Sequence, residues 1–121
     1  HSCKGSYDLA EGEATAFEWN ATYSAPLFAR RAGELVRAAG SEPAGAPWFL
    51  YLAFQNVHWP LEVPASYLAR VPPNATGGDA DRRAIVAMAL ALDEGVDLSQ
   101  RMLEDTLQIV HSFQSDLAEP V

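Results

Sequence analysis

The sequence predicts an α/β fold: a helix, a buried strand, a long loop, a second helix and a possible second strand, in that order. Three observations carry this expectation. Residues 48–54, WFLYLAF, are apolar on both alternating faces, as a strand is when helices cover both sides of its sheet. Apolar residues recur at helical spacing before and after that run, so amphipathic helices bracket the strand. The connection from the run to the second helix, residues 56–78, is rich in proline and holds Gly77 and Gly78, the composition of an irregular segment.

Taken in order, residues 1–23 show neither helical nor strand period and read as loop. Ser24 offers an N-cap, and Pro26 is tolerated in a first helical turn. Phe28, Ala32, Leu35, Val36 and Ala39 then form one apolar stripe, with Arg30, Arg31, Glu34 and Arg37 outside it. Gly40 is the expected end of this helix, and SEPAGAP, residues 41–47, is a turn-rich linker. Beyond the long loop, Asp79 and Asp81 suit the first turn of a helix, where the macrodipole favours negative charge. Ile85, Met88, Ala89, Leu92, Val96 and Leu103 keep helical spacing from there, and residues 107–113 read as the possible second strand. A central strand must pair both of its edges. With one other candidate strand and no internal repeat, the chain reads as a slice of a larger sheet domain.

A length of 121 residues fits one domain. Hydrophobic content of 49% beside 20% charged residues is that of a globular protein. The formal net charge is -8, from 16 acidic and 8 basic side chains. No basic face exists to neutralise phosphates, so nucleic acid is excluded as the expected partner, and an anionic membrane surface for the same reason. The apolar run from Ala84 to Leu92 is stopped by Asp93 and Glu94, short of the ~20 residues that a membrane span needs. No secretory signal is visible, and the chain starts at His1 rather than Met. The start is therefore read as a processed, trimmed or incomplete N-terminus.

His58 is the residue best placed for chemistry. In FLYLAFQNVHWPLEVP, residues 49–64, it stands just past the carboxyl end of the expected strand, where ligand sites in open α/β sheets lie. Histidine there can donate to an anion or move a proton near neutral pH; the competing reading is a loop histidine satisfied by a backbone carbonyl. Cys3 is the single cysteine; alone it builds neither an internal disulfide nor a thiolate metal cage, and no base or anion hole beside it makes it a nucleophile. His1 and His111 lie in unrelated segments without ligand spacing to His58. Asp93 and Glu94 are helix neighbours that point in different directions, a solvated face rather than an acid–base pair. Asn20-Ala21-Thr22 and Asn74-Ala75-Thr76 are glycosylation sequons in expected loops, fitting a chain of the secretory route.

PWFLYLAFQNVHWPLEVPASYL resembles the segment of sulfatases, arylsulfatases of the lysosomal and secreted type in particular, in which a buried strand runs into a His-x-Pro loop. YSAPLFARRAGELVRA is similar to the helix before that strand, and RRAIVAMALALDEGVDLSQRMLED to the helix after it. The resemblance spans roughly residues 20 to 107, with 24–107 matching best, 1–23 a loop region and 108–121 a divergent tail. It implies part of an alkaline-phosphatase-like α/β domain that hydrolyses sulfate esters of small molecules or glycans, in a lysosomal or extracellular glycoprotein. It also implies a formylglycine nucleophile from a Cys/Ser-x-Pro-x-Arg motif, and a calcium or magnesium ion held by acidic and amide side chains. His58 is the one residue carried over, as a sulfate contact and proton donor to the leaving oxygen, a donor aimed where negative charge develops. The chain departs from the pattern. Cys3 is followed by Lys4 and Gly5, the early paired aspartates are absent, and Ser115-Asp116 lacks the Asn-Gly that would make Asp116 a metal ligand. The expectation is thus a sulfuric ester hydrolase fragment, inactive by itself. Its rivals are an inactive sulfatase-like protein that binds a sulfated glycan or protein partner, and an unrelated α/β domain that uses Trp59 and Pro60 only to hold a loop.

Overall fold

The computed structural model describes residues 9–41 and 47–118, with side chains through residue 108. Two helices dominate it: α1, Ser24–Ser41, and α3, Ala80–Ala118. α3 begins where its sequence dictates. Asp79 Oδ1 accepts the Arg82 backbone N–H at 2.9 Å, satisfying one of the donors that a helix start leaves unpaired. α1 starts at Ser24 as expected but runs through Gly40 to Ser41.

α1 and α3 meet through small side chains. The buried apolar residues are Ala16, Ala25, Leu27, Ala29, Ala32, Val36, Val71, Ala87, Met88 and Ala91, so alanine dominates the interface and the two backbones approach closely. Gly33 and Gly95 show how closely: a Cβ on Gly33 would overlap Met102 Sδ of α3, and one on Gly95 would stand 3.5 Å from Ala25 O of α1 and 2.9 Å from Phe54 Cε1 of the extended segment. The stripe expected on α1 is therefore rotated. Ala25, Leu27, Ala29, Ala32, Gly33 and Val36 face inward, while Leu35 is 45% exposed, because contact with α3 selects the small residues over the large ones.

The α/β expectation is corrected in its strands. Residues 48–54 pair with no other strand; the only sheet among the described residues is the two-stranded hairpin β1, Ala10–Glu11, and β2, Ala14–Thr15, paired antiparallel with Glu11 opposite Ala14. Burial nevertheless alternates with period two from Leu50 to Asn56, as in an extended strand. Leu50, Leu52 and Phe54 are half-buried, whereas Phe49 and Tyr51 are 89% and 81% exposed. Only one face is covered, since no described segment packs on the side of Phe49, Tyr51 and Ala53. Residues 107–113 continue α3 instead of forming a strand. Once nucleated, a helix extends at little cost, and no glycine or proline interrupts the sequence between Gly95 and Ala118.

Residues 9–23, read as loop, form the β1–β2 hairpin and a short 3₁₀ turn, Phe17–Trp19. Gly12 supplies the positive φ, 62°, that so tight a turn requires. The hairpin is tied to α1 by Arg31, which pairs with Glu11 and Glu34, and by Arg30, 4.4 Å over the Trp19 ring. The short helix α2, Ala65–Leu68, docks on α3. Arg83 donates to Val71 O at 2.7 Å and Leu68 O at 2.9 Å, and Glu94 pairs with Arg70. A hydrogen bond from Tyr67, with Arg70 adding to it, holds the Glu94 carboxyl below its ordinary value.

Gly95→Val tests the close approach. A branched side chain would drive into the Phe54 ring and Ala25 O, so equilibrium unfolding is expected to show a loss of about 1–3 kcal/mol. Unchanged stability would contradict this packing.

Candidate functional site

The end of the extended segment is fixed by one side chain. Asn56 Nδ2 donates to Tyr23 Oη at 3.0 Å and to Met88 O at 2.8 Å. Tyr23 directly precedes α1 and Met88 lies in α3, so this amide joins both helices to the segment. Burial raises the Tyr23 phenol above its ordinary pKa, and the Asn56 hydrogen bond opposes that rise. The network continues through the ring of Tyr67, 6.3 Å from that of Tyr23, to the Glu94 carboxylate.

Past Asn56 the chain turns away from the helices, with cis peptide bonds at Asn56–Val57 and Trp59–Pro60. The turn opens a cleft of about 690 Å³ lined by Tyr23, Ser24, Asn56, His58, Trp59 and Glu62, among others. His58 is exposed at this cleft. Its Nδ1 lies 2.6 Å from Trp59 O. A carbonyl only accepts, so the proton of that bond belongs to Nδ1. Nε2 has no described partner: it accepts when the ring is neutral and donates when it is charged. The backbone-carbonyl bond thus satisfies one ring nitrogen and leaves the other for chemistry at the cleft.

The electrostatics are sparse. Among the described residues, no lysine or arginine lines the cleft, and Glu62 contributes a carboxylate. An anion entering it meets the His58 ring, able to carry positive charge, together with the neutral donors of Tyr23, Ser24, Thr22 and Gln55, both N–H groups of the Asn56 amide being engaged already. A smaller cleft of about 380 Å³ lies between the hairpin and α1, but Arg31 on its rim is paired with Glu11 and Glu34 and Arg30 stacks on Trp19.

Of the other candidate site residues read from the sequence, none whose side chain is described lines the His58 cleft. Cys3 and His1 lie outside the described residues. His111, Ser115 and Asp116 fall within α3 rather than after a strand. Among the described residues, no group of three or more His, Cys, Asp or Glu side chains could hold a metal ion. The described side chains thus offer no set that fits the calcium or magnesium ion implied by the resemblance. Asp93 and Glu94 are exposed, Glu94 being engaged with Arg70. Asn20 and Asn74 are both exposed. Tyr23 and Arg83 were not singled out in the sequence. Only a contact between distant segments reveals them, although the tyrosine immediately before an N-cap was a visible cue.

The His58 tautomer is testable. Nitrogen-15 shifts of the neutral ring should show a protonated Nδ1 and a bare Nε2; the reverse assignment would contradict the bond to Trp59 O.

No protein-family model matches the chain, and no solved structure shows a significant match. A mouse protein, arylsulfatase J, is 33% identical over 91 residues, which cover 74% of this chain and 14% of that protein. The chain therefore spans a small part of the length of this relative. A contiguous stretch covering 74% of 121 residues includes His58 wherever it begins. The similarity supports a relationship between this chain and the sulfatases.

Proposed function

We propose that the chain is part of a sulfatase-like hydrolase domain, and that His58 is its contact to the sulfate group. The observation that carries this reading is His58 lining an open cleft with only its Nδ1 engaged, within a segment similar to an arylsulfatase. With the ring charged, Nε2 donates to a sulfate oxygen. As the S–O bond to the leaving group breaks, the same proton can pass to the departing alkoxide or phenoxide. The substrate class is a sulfate ester of a small molecule or glycan, and the setting is the lysosomal or extracellular route. Asn20 and Asn74, both exposed, are sites for glycans there. No described helix is long and apolar enough to cross a membrane.

The chain lacks a Cys/Ser-x-Pro-x-Arg motif, so hydrolysis belongs to a longer protein that supplies the nucleophile and the metal. The second reading is a sulfatase-like protein that binds a sulfated glycan or protein partner without cleaving it; a Cys/Ser-x-Pro-x-Arg motif in the flanking sequence would favour the enzyme, and its absence there the binder. For the 121-residue chain both readings give one outcome. A general acid without a nucleophile or a strong anion site achieves none of the about 10²–10⁴-fold that acid–base help can contribute.

The experiment is a titration of the isotope-labelled chain with a chromogenic aryl sulfate and calcium, followed by NMR and by product release. Weak, saturable shifts confined to His58 and its cleft neighbours are expected, absent with the sulfate-free phenol and lost in His58→Gln, with no turnover. The absence of any shift would overturn the assignment of His58. Turnover that disappears in His58→Ala would show that another residue replaces the missing nucleophile.

A further inference from the structure

We propose that the Tyr23 phenol is a second substrate-binding donor of the His58 cleft, its O–H directed to a sulfate oxygen of the ester that contacts His58. This residue assignment rests on the sulfatase reading of the cleft and adds to it.

Met88 O can only accept, so the Asn56 atom 2.8 Å from it is the amide nitrogen. That same nitrogen stands 3.0 Å from Tyr23 Oη, and it has only a second N–H to offer there. Tyr23 therefore accepts this bond, and its own phenolic hydrogen is not spent on it. Among the described residues no other side-chain hydrogen bond involves Tyr23. The hydrogen remains to be given, and Tyr23 lines the same cleft as His58. Burial holds the phenol above its ordinary pKa, so the hydrogen stays in place through the range where an imidazole titrates.

Tyr23 differs from the other neutral donors of the cleft in being placed beforehand. Among the described residues, no hydrogen bond holds the side chain of Thr22, Ser24 or Gln55. The Tyr23 oxygen is fixed by Asn56, and its ring lies 6.3 Å from that of Tyr67. A donor already in position loses little freedom when a ligand arrives, and it needs no reorganisation where negative charge develops. Accepting the Asn56 N–H also polarises the phenol, which makes its O–H the stronger donor.

The test compares three forms of the isotope-labelled 121-residue chain: unaltered, Tyr23→Phe, and with 3-fluorotyrosine in place of Tyr23. Each is titrated with an aryl sulfate at about pH 5.5, below the ordinary imidazole value, and the dissociation constant is read from the His58 ring shifts. Tyr23→Phe should bind about tenfold more weakly, the worth of one hydrogen bond to a charged group. The fluorinated chain should bind more tightly than the unaltered one, because fluorine makes the phenol a better donor. Fluorine also makes the phenol oxygen a poorer acceptor, so a Tyr23 that served only to hold Asn56 would give the opposite order. Should Tyr23→Phe lose its helical circular dichroism, the fluorinated chain decides alone. Equal affinity in a folded Tyr23→Phe, or a fluorinated chain that binds no more tightly than the unaltered one, would overturn the proposal and leave the His58 contact standing. The absence of any His58 shift in the unaltered chain would overturn that contact, and this proposal with it.

Discussion

The side-chain amide of Asn56 is the joint on which the site depends. Its two N–H groups bond the phenol that precedes α1 and a backbone carbonyl of α3, so one residue binds three parts of the chain. Neutral hydrogen bonds of this kind contribute only about 0.5–1.5 kcal/mol each. Their weight here is geometric. They fix where the extended segment stops, and thereby where the turn carrying His58, Trp59 and Pro60 leaves the helices. Without that anchor, nothing else described would hold the ring at the cleft, since the bond from Nδ1 to Trp59 O is local to the turn.

Around the joint the packing is thin. The α1–α3 contact is built largely from alanine and glycine, and among the described residues no large side chain is fully buried. Small residues let the helices approach, but each buries little apolar area, so the hydrophobic stabilisation per residue is low. Meanwhile Phe17, Phe49, Tyr51 and Trp59 stay more than half exposed, and Ile85, Val96 and Leu107 leave an uncovered stripe along α3. Apolar surface of that extent marks where other structure binds. The site itself has a matching incompleteness: an imidazole and neutral donors line it, but no fixed cation stands beside them.

Much of this was legible in the residues, and what was not has a physical reason. The start of α3 was readable because Asp79 caps it through a local bond. The stripe on α1 was right at Ala32 and Val36 and wrong at Leu35, because the face turned to the partner helix also takes in Ala25, Ala29 and Gly33, which carry little periodic signal. WFLYLAF was legible as extended from its composition, and it stands unpaired because the described residues hold no strand to pair with it. Residues 107–113 looked strand-like only in isolation; attached to a helix already formed, they prolong it. At the site, the position of His58 after the run was legible, whereas the Tyr23–Asn56–Met88 joint, which spans more than thirty residues, was not.

The most direct test of this account is a double-mutant cycle between Tyr23 and Asn56, with Tyr23→Phe, Asn56→Ala and the double variant unfolded in denaturant. The account predicts a coupling of about 0.5–1.5 kcal/mol, the worth of their shared hydrogen bond. Strictly additive losses would contradict it, and would mean that the cleft is held in place by something other than the Asn56 amide.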